Sequence, residues 1–204
     1  MRYLIVCGGK IDKEFGLNEI KTDGIDAIIA ADSGMDFLYE NGVTPDIIVG
    51  DFDSATTKAL DFFERKGQTE IHRLNPIKDD TDTEYAIRLA IREGARSIVV
   101  LGATGSRIDH VLGNISLLGI GLESKTDISI IDTNNRIRMA DKPVTIEKSA
   151  QYGRFVSLIA LTDDNEVSLK GFKYPVTDYS FDRFTSLGIS NEIVDDHALI
   201  DIHR

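Results

Sequence analysis

Two aspartates follow a short apolar run in the segment IIVGDFDSA (47–55), where Asp51 and Asp53 are separated by Phe52. If the chain stays extended through Phe52, the two carboxylates point the same way, with α-carbons about 6–7 Å apart. Two carboxylates at this spacing can share a hard cation, and Mg²⁺ favours carboxylate oxygens together with water and substrate phosphates. The pattern indicates a site for a magnesium-bound nucleotide. Solvated acids in a turn, or an N-cap for a helix near Thr56, are the alternative interpretation.

A second acidic segment, KDDTD (78–82), precedes a helical pattern. Thr81 and Glu84 form a capping box, and Asp82 falls in the first helical turn, where the helix dipole favours a carboxylate. These roles do not explain four charged residues in five positions. Because clustered carboxylates repel one another, a bound metal or Lys78 is the natural compensator. We therefore predict a functional role for Asp82, and the two aspartates before Thr81 stay open between function and solvation.

Glycines and hydroxyl side chains precede a predicted helix in GATGSRIDH (102–110), where backbone N–H groups can surround a phosphate. The segment lacks the lysine of a P-loop. Arg107 can bind phosphate oxygens in a bidentate manner and Asp109 can reach the same metal, or both are ordinary first-turn residues. Asp32, in ADSG after another apolar run, has the position of a ribose or metal contact, although an Asx-turn also explains it.

The secondary-structure elements that position these residues are predicted from the alternation of apolar runs and helical patterns along the chain. Six β-rich runs alternate with helical segments or turns: RYLIV, DAIIA, DIIVG, EIHRL, SIVVL and DISII. This alternation predicts a parallel sheet covered by helices, with ligands beyond the carboxyl ends of its strands. After about Asp132, turns replace the helices between further strand-like runs: RIRMA, VTIEK, RFVSLIAL, EVSLKGF, ISNEIV and ALIDI. We predict an α/β domain over 1–133, followed by an all-β, sandwich-like domain over 134–204.

Charge and cysteine content exclude several classes of function. The chain has 23 Lys and Arg against 34 Asp and Glu, a net charge of −11, which repels nucleic acids and anionic lipid surfaces. Divalent cations can still bring in an anionic substrate, and a cationic substrate is attracted. Cys7 is the only cysteine, so an intramolecular disulfide or a CxxC site cannot form. With no signal-peptide pattern and no apolar run of membrane-spanning length, we expect a cytoplasmic protein.

The ordered set ADSG, GDFDS, KDDTD and TGSRIDH resembles the thiamin pyrophosphokinase family. GISNE (188–192) resembles that family's thiamin-site Ser-Asn motif, so the match extends over 31–192. The resemblance implies transfer of a pyrophosphoryl group from ATP to the thiamin hydroxyl with Mg²⁺, giving thiamin diphosphate and AMP. It also implies a homodimer with its active sites between the subunits.

The resemblance further implies a role for each matching residue. Metal-associated catalytic carboxylates would be Asp51, Asp53, Asp82 and Asp109; ATP contacts would be Asp32, Lys78, Thr104, Gly105 and Arg107; thiamin contacts would be Ser190 and Asn191. We hypothesise that Asp82 or Asp109 accepts the hydroxyl proton. The chain departs from some relatives at Ile189, where they have Thr, and in containing no tryptophan.

Three other functions are weighed against this one. Haloacid-dehalogenase-type phosphatases also place D-x-D after an apolar strand, but here Ser54 and Ala55 follow the motif and two strands precede it. A related hydroxymethylpterin pyrophosphokinase would share the nucleotide half and is disfavoured by GISNE. A non-catalytic nucleotide or metal sensor would bind Mg-ATP without turnover.

Overall fold

The computed structural model describes residues 1–52, 57–75, 77, 80–163 and 165–203. It divides into two compact units, Met1–Met139 and Ala140–Arg204. In the described part of the chain, no helix has both the length and the apolar character needed to cross a membrane.

The first unit is built on a seven-stranded sheet. Its strands are β1 (Arg2–Val6), β2 (Ala27–Ala31), β3 (Ile47–Gly50), β4 (Glu70–Arg73), β5 (Ser97–Leu101), β6 (Asp127–Ile131) and β7 (Arg136–Arg138), in the order β4-β3-β2-β1-β5-β6-β7. All neighbouring pairs are parallel except β6 and β7. The six strands predicted for this part of the chain and their parallel arrangement are confirmed.

Helices cover the sheet: α1 (Lys13–Ile20), α2 (Gly34–Glu40), α3 (Thr57–Lys66), α4 (Asp82–Arg92), α5 (Ile108–Leu117) and α6 (Gly119–Ser124). The predicted cap of α4 is present, since the Thr81 hydroxyl accepts a hydrogen bond from the Glu84 backbone N–H at 3.2 Å. Beyond its end, Gly94 adopts a left-handed conformation with φ of 87°. Such a glycine after the last turn is a common helix stop.

Apolar side chains fill both faces of the sheet because successive residues of a strand point to opposite sides. In β1, Ile5 belongs to one buried cluster with Ile87 of α4. Its neighbour Leu4 belongs to the other cluster, with Leu38 of α2 and Phe63 of α3. Two buried faces explain why the strands read as continuous apolar runs.

The division between the units lies after Met139 rather than after Thr133, where the sequence placed it. The turn that follows Asp132 reverses the chain, and β7 then pairs antiparallel with β6. The strand-like run RIRMA was therefore assigned to the wrong unit. An edge strand that returns directly onto its predecessor extends the first sheet.

The second unit contains β8 (Val144–Glu147), β9 (Asn165–Lys170), β10 (Val176–Phe181) and β11 (His197–His203), and a 3-10 turn at Lys148–Ala150. The strands form an antiparallel sheet in the order β10-β9-β11-β8. One face packs on a cluster that includes Phe172, Phe181 and Ile193. This architecture confirms the predicted C-terminal β domain.

Two features of the second unit differ from the sequence prediction. β10 was not predicted; Asp178 interrupts it with a φ of 47°, and its register with β9 shifts between Val176 and Tyr179. Conversely, RFVSLIAL and ISNEIV form isolated bridges, at Val156 and Ile193, instead of regular strands. Irregular backbone conceals the alternation on which strand prediction depends.

Candidate active site

Three carboxylates converge at one edge of the first sheet. Asp32, Asp51 and Asp82 are half-buried, and each offers an oxygen atom that lies within 4.8 Å of the other two. Asp32 follows β2, Asp51 follows β3, and Asp82 begins α4. Because β2 and β3 are adjacent and parallel, their carboxyl ends meet at the same edge. The sequence left Asp32 open between a ribose and a metal contact, and the resemblance implies an ATP contact; the structure brings Asp32 together with two of the predicted metal ligands.

Asp32 is held by main-chain contacts to a neighbouring strand. It has a φ of 48°, its N–H donates to the Val49 carbonyl at 2.8 Å, and its carbonyl accepts from the Met35 N–H at 3.2 Å. Two residues on, a Cβ at Gly34 would overlap the Val6 carbonyl oxygen. The turn from β2 into α2 therefore requires glycine at position 34.

The backbone after Asp51 corrects the predicted D-x-D geometry. Phe52 has a φ of 61°, so the chain turns in a left-handed conformation instead of staying extended. The Phe52 ring packs near Gly50, and the Arg73 guanidinium carbon lies 5.4 Å from the ring centroid. Among the described residues, Asp51 is grouped with Asp32 and Asp82, which lie on other loops. Asp53 lies outside the described residues, and its predicted role is untested.

The start of α4 is joined to the end of β1. A hydrogen bond of 3.4 Å links Cys7 Sγ and Thr83 Oγ1, directly beside Asp82. Burial is the main cause that raises the pKa of the Cys7 thiol to about 11; the hydrogen bond with Thr83 lowers this pKa, and the charge of Asp82 raises it. Cys7 is therefore a neutral structural thiol at neutral pH, as expected of a small core residue.

The donor set of the carboxylate group suits a hard divalent cation. Two carboxylates about 5 Å apart repel each other by roughly 3 kcal/mol at an effective dielectric constant of 20. A cation bound between them would relieve this repulsion, and oxygen-only ligands are those that Mg²⁺ selects. Asp32, Asp51 and Asp82 are thus the residues that would hold the metal.

Glycines let the neighbouring loops touch through their backbones. A Cβ at Gly9 would overlap the Gly102 carbonyl oxygen, and one at Gly102 would overlap that of Cys7. The Gly9 N–H donates to the Gly102 carbonyl at 2.9 Å. Gly105 lies beside Gly9, since a Cβ built on it would come within 3.6 Å of the Gly9 α-carbon. The loops after β1 and β5 therefore form one closely packed surface.

Arg107 and Asp109 pair with each other at the start of α5. The guanidinium donates to both carboxylate oxygens, at 3.3 and 2.7 Å, and both side chains are about two-thirds exposed (69% and 67%). The hydrogen bond from Arg107 is the main cause that lowers the pKa of Asp109. Among the described residues, Asp109 is not part of the converging carboxylate group. Its metal role stays a prediction, as does phosphate binding by Arg107.

The Thr104 hydroxyl donates to a carboxylate oxygen of Asp132 at 2.7 Å. Sequence reasoning treated Asp132 only as a boundary residue. The segment DTNN carried a signal that it had a further role, because an Asp followed by turn formers is typical of an Asx-turn. Lys78, the remaining predicted ATP contact, lies outside the described residues.

In the second unit, the side chain of Asn191 is committed to the backbone. Asn191 is 5% exposed; its Nδ2 donates to the Tyr174 carbonyl at 2.9 Å, and its Oδ1 accepts from the N–H groups of Tyr174 and Glu192, both at 3.0 Å. Ser190 has an exposed side chain and a φ of 61°, and its N–H donates to Ser157 Oγ at 3.0 Å. Asn191 therefore fixes the segment around Tyr174, while Ser190 is an exposed residue.

Comparison with known families covers both units. Residues 21–131 match the model described as the catalytic domain of thiamin pyrophosphokinase, and residues 143–203 match its vitamin B1 binding domain. The chain is 36% identical over 168 residues to a thiamine pyrophosphokinase from Bacillus subtilis (strain 168), covering 81% of this chain and 78% of that protein. The chain belongs to the thiamin pyrophosphokinase family.

Solved structures of thiamin pyrophosphokinases have the same fold. A crystal structure of the Bacillus subtilis thiamine pyrophosphokinase superposes with a TM-score of 0.88 at 31% identity, covering 100% of this chain and 95% of that one. The protein from Geobacillus thermodenitrificans gives a TM-score of 0.85 at 28% identity, with 100% and 94% covered. These matches confirm the family suggested by the motifs and give no support to the phosphatase or hydroxymethylpterin alternatives.

The converging carboxylates lie in the unit that matches the thiamin pyrophosphokinase catalytic domain. Ser190 and Asn191 lie in the unit that matches the vitamin B1 binding domain. The acidic motifs and the Ser-Asn motif therefore lie in different matched domains, and the ligand predicted for each motif stays a prediction.

Proposed function

We propose that the chain transfers a pyrophosphoryl group from ATP to the hydroxyl of thiamin, producing thiamin diphosphate and AMP. The observation that carries this proposal is the convergence of Asp32, Asp51 and Asp82 within a catalytic-domain match. A triphosphate brings several negative charges to this edge of the sheet, and an acidic protein needs a bridging cation to accept it. The same net charge of −11 attracts the positively charged thiazolium of thiamin.

Asp32, Asp51 and Asp82 would hold Mg²⁺, which, when bound, neutralises phosphate oxygens and aligns them for in-line attack. The chain's own contribution begins with the loop after β5, whose Gly105 and following N–H groups can donate to phosphate oxygens. Arg107 would exchange its carboxylate partner for a phosphate, since guanidinium binds either group in the same bidentate geometry.

The proton of the thiamin hydroxyl needs a carboxylate acceptor. In the free chain the hydrogen bond from Arg107 lowers the pKa of Asp109, and release of Arg107 to a phosphate would remove this effect and make Asp109 a stronger base. We propose that Asp82 or Asp109 accepts the proton. Ser190, which is exposed, is proposed as the thiamin contact, and Asn191 as a residue that shapes the same segment.

We further propose a cytoplasmic homodimer. The resemblance supports the dimer, as do large apolar side chains that remain exposed in the isolated chain, including Ile108 and Leu112 on α5 at 68% and 60%. Apolar patches rimmed by polar residues are typical of protein contacts. Light scattering should give twice the mass of one chain, and the mass of one chain would refute the proposal.

The test of the activity is AMP formation from ATP, thiamin and Mg²⁺. We expect AMP only when thiamin is present, and a loss of about 100-fold or more in Asp51→Asn, because a metal ligand is removed. Asp61→Asn on α3 is the matched control, since Asp61 is exposed on the same unit and should retain full activity. Robust turnover by Asp51→Asn, or phosphate release without thiamin, would contradict the assignment.

A further inference from the structure

The carboxylate of Asp132 accepts hydrogen bonds from two different loops. Its Oδ1 accepts from the backbone N–H groups of Asn134 and Asn135, both at 2.8 Å, and from the Asn135 side-chain amide at 2.9 Å. Its Oδ2 accepts from the Thr104 hydroxyl at 2.7 Å. One side chain therefore joins the turn into β7 to the loop after β5.

The loop after β5 is anchored at three successive residues by three different elements. The Gly102 carbonyl accepts from the Gly9 N–H at 2.9 Å, and the Ala103 carbonyl accepts from Asn114 Nδ2 at 2.9 Å. Thr104 is anchored to Asp132. Directly after this fixed stretch, Ser106 and Arg107 are exposed. The anchors thus hold one end of a segment whose other end faces solvent.

The Thr104 hydroxyl has one proton, and it donates that proton to Asp132. A hydrogen bond to an ionised acceptor is about twice as strong as one between neutral groups. Burial raises the pKa of Asp132, but the hydrogen bonds from Thr104, Asn134 and Asn135 outweigh it and lower the pKa overall. Asp132 is thus ionised at neutral pH and keeps the Thr104 proton away from any phosphate.

We propose that Asp132 is a positioning residue which, through Thr104, holds the N–H groups of Gly105, Ser106 and Arg107 in place for the phosphates of the nucleotide. The proposal rests on the proposed function, and it changes the predicted role of Thr104 from a nucleotide contact to an anchor. Asp132 directly follows β6, which pairs with β5 in the sheet. The residue that anchors the loop after β5 is therefore itself held at the end of the adjacent strand.

The first test is kinetic. Thr104→Val and Asp132→Asn should each raise the KM for Mg-ATP about tenfold, because each removes the same charged hydrogen bond, while kcat and the KM for thiamin stay within about threefold. The double variant should be no worse than the more impaired single variant. Thr104→Ser, which keeps the hydroxyl, should keep the KM for Mg-ATP at the wild-type value. Effects that multiply to about 100-fold in the double variant would overturn the proposal.

The second test does not require activity. Hydrogen exchange of the amides in 102–107, measured on the full chain without substrates, should be about tenfold faster in Thr104→Val and Asp132→Asn, and unchanged in Thr104→Ser. Unchanged exchange in both of the first two variants would overturn the anchor even if the enzyme is active. Absence of AMP formation by the wild-type chain would instead refute the proposed function, while exchange still decides the anchor.

Thr126→Val is the control for the loss of any buried threonine hydroxyl. Thr126 is 6% exposed and lies just before β6, at the opposite end of that strand from Asp132. Its substitution should leave both the KM for Mg-ATP and the exchange of 102–107 at wild-type values. A rise in either quantity comparable to that of Thr104→Val would show a general structural effect and overturn the specific role of Asp132.

Discussion

At the scale of single residues, two residues at the edge of the sheet where the carboxylates converge have left-handed backbone conformations. Asp32 has a φ of 48° and Phe52 one of 61°. Such conformations are uncommon for residues other than glycine, and for a bulky side chain they persist only when surrounding contacts enforce them. The ring of Phe52 between Gly50 and Arg73 provides those contacts. Local strain here coincides with the convergence of the carboxylates.

The Asp109→Asn variant tests whether Asp109 binds the metal or only pairs with Arg107. Because the structure pairs Asp109 with Arg107, we expect the half-saturating Mg²⁺ concentration to stay within about twofold in this variant. In Asp82→Asn it should rise about tenfold or more, since a carboxylate ligand is lost. Titration of AMP formation with Mg²⁺ at fixed ATP checks both values. An equal rise of the half-saturating Mg²⁺ concentration in the two variants would indicate that Asp109 is also a metal ligand.

The buried Cys7 thiol should make stability depend on alkaline pH. Burial is the main cause that raises its pKa from 9.0 to about 11, so its neutral form contributes fully below pH 9 and the contribution is lost as pH rises through about 11. Two pKa units correspond to about 3 kcal/mol. Urea unfolding at intervals between pH 8 and 11 should show the wild type losing stability relative to Cys7→Ala. A difference that is independent of pH would contradict this.

At the scale of elements, the active edge depends on how closely strand-end loops approach. A side chain at Gly34 would overlap the Val6 carbonyl, and one at Gly9 would overlap that of Gly102. Both obstacles are main-chain atoms: the Val6 carbonyl belongs to β1, and the Gly102 carbonyl lies directly after β5 and accepts a hydrogen bond from the Gly9 N–H. Close backbone contact therefore requires glycine at both positions. These contacts hold the loops after β1, β2 and β5 close together.

Gly34→Ala should destabilise the first unit by about 2 kcal/mol or more, because the new methyl group overlaps backbone. Gly113 on α5 gives a matched control, since nothing lies within 4 Å of a Cβ built there. Gly113→Ala should stabilise by about 0.5–1 kcal/mol through helix propensity. Thermal and urea unfolding of the two variants measure the contrast. Equal effects of the two substitutions would show that the overlap is relieved by a local shift.

At the scale of the whole molecule, the chain is divided after Met139, and β7 completes the first sheet. The turn that leads into β7 is held by Asp132, the residue that also anchors the loop after β5. The turn at the edge of the sheet and the loop after β5 are therefore held by the same carboxylate. A division at residue 133 would separate Asp132 from its turn.

A fragment of residues 1–139 should be more stable than one of residues 1–133. The shorter fragment lacks Asn134, Asn135 and β7, so Asp132 loses hydrogen bonds from both asparagines. We expect a difference of about 2 kcal/mol or more in the free energy of unfolding. Urea titration followed by circular dichroism provides the measurement, with Asn135→Ala in the longer fragment as an intermediate case. Equal stability would place β7 outside the cooperative unit.

The sequence alone determined the family, the six parallel strands and the capped start of α4. These depend on local patterns, such as apolar runs buried on two faces and a T-x-x-E box, which are visible in a few consecutive residues. It also singled out Asp51 and Asp82 as predicted metal ligands, because acids after a buried strand and beside a helix start are conspicuous. The order of the motifs along the chain indicated the family.

Only the tertiary structure decided which carboxylates meet. The motifs placed Asp51 and Asp82 in one metal site with Asp53 and Asp109, whereas the structure adds Asp32 to Asp51 and Asp82 and, among the described residues, leaves Asp109 out of the group. Likewise, the role proposed for Asp132 depends on the hydrogen bond that it accepts from Thr104, 28 residues away in the chain. Sequence spacing predicts side-chain direction only where the backbone is regular, and Asp32 and Phe52 are left-handed. Distances between separate loops are set by the packing of the sheet beneath them, which no short segment encodes.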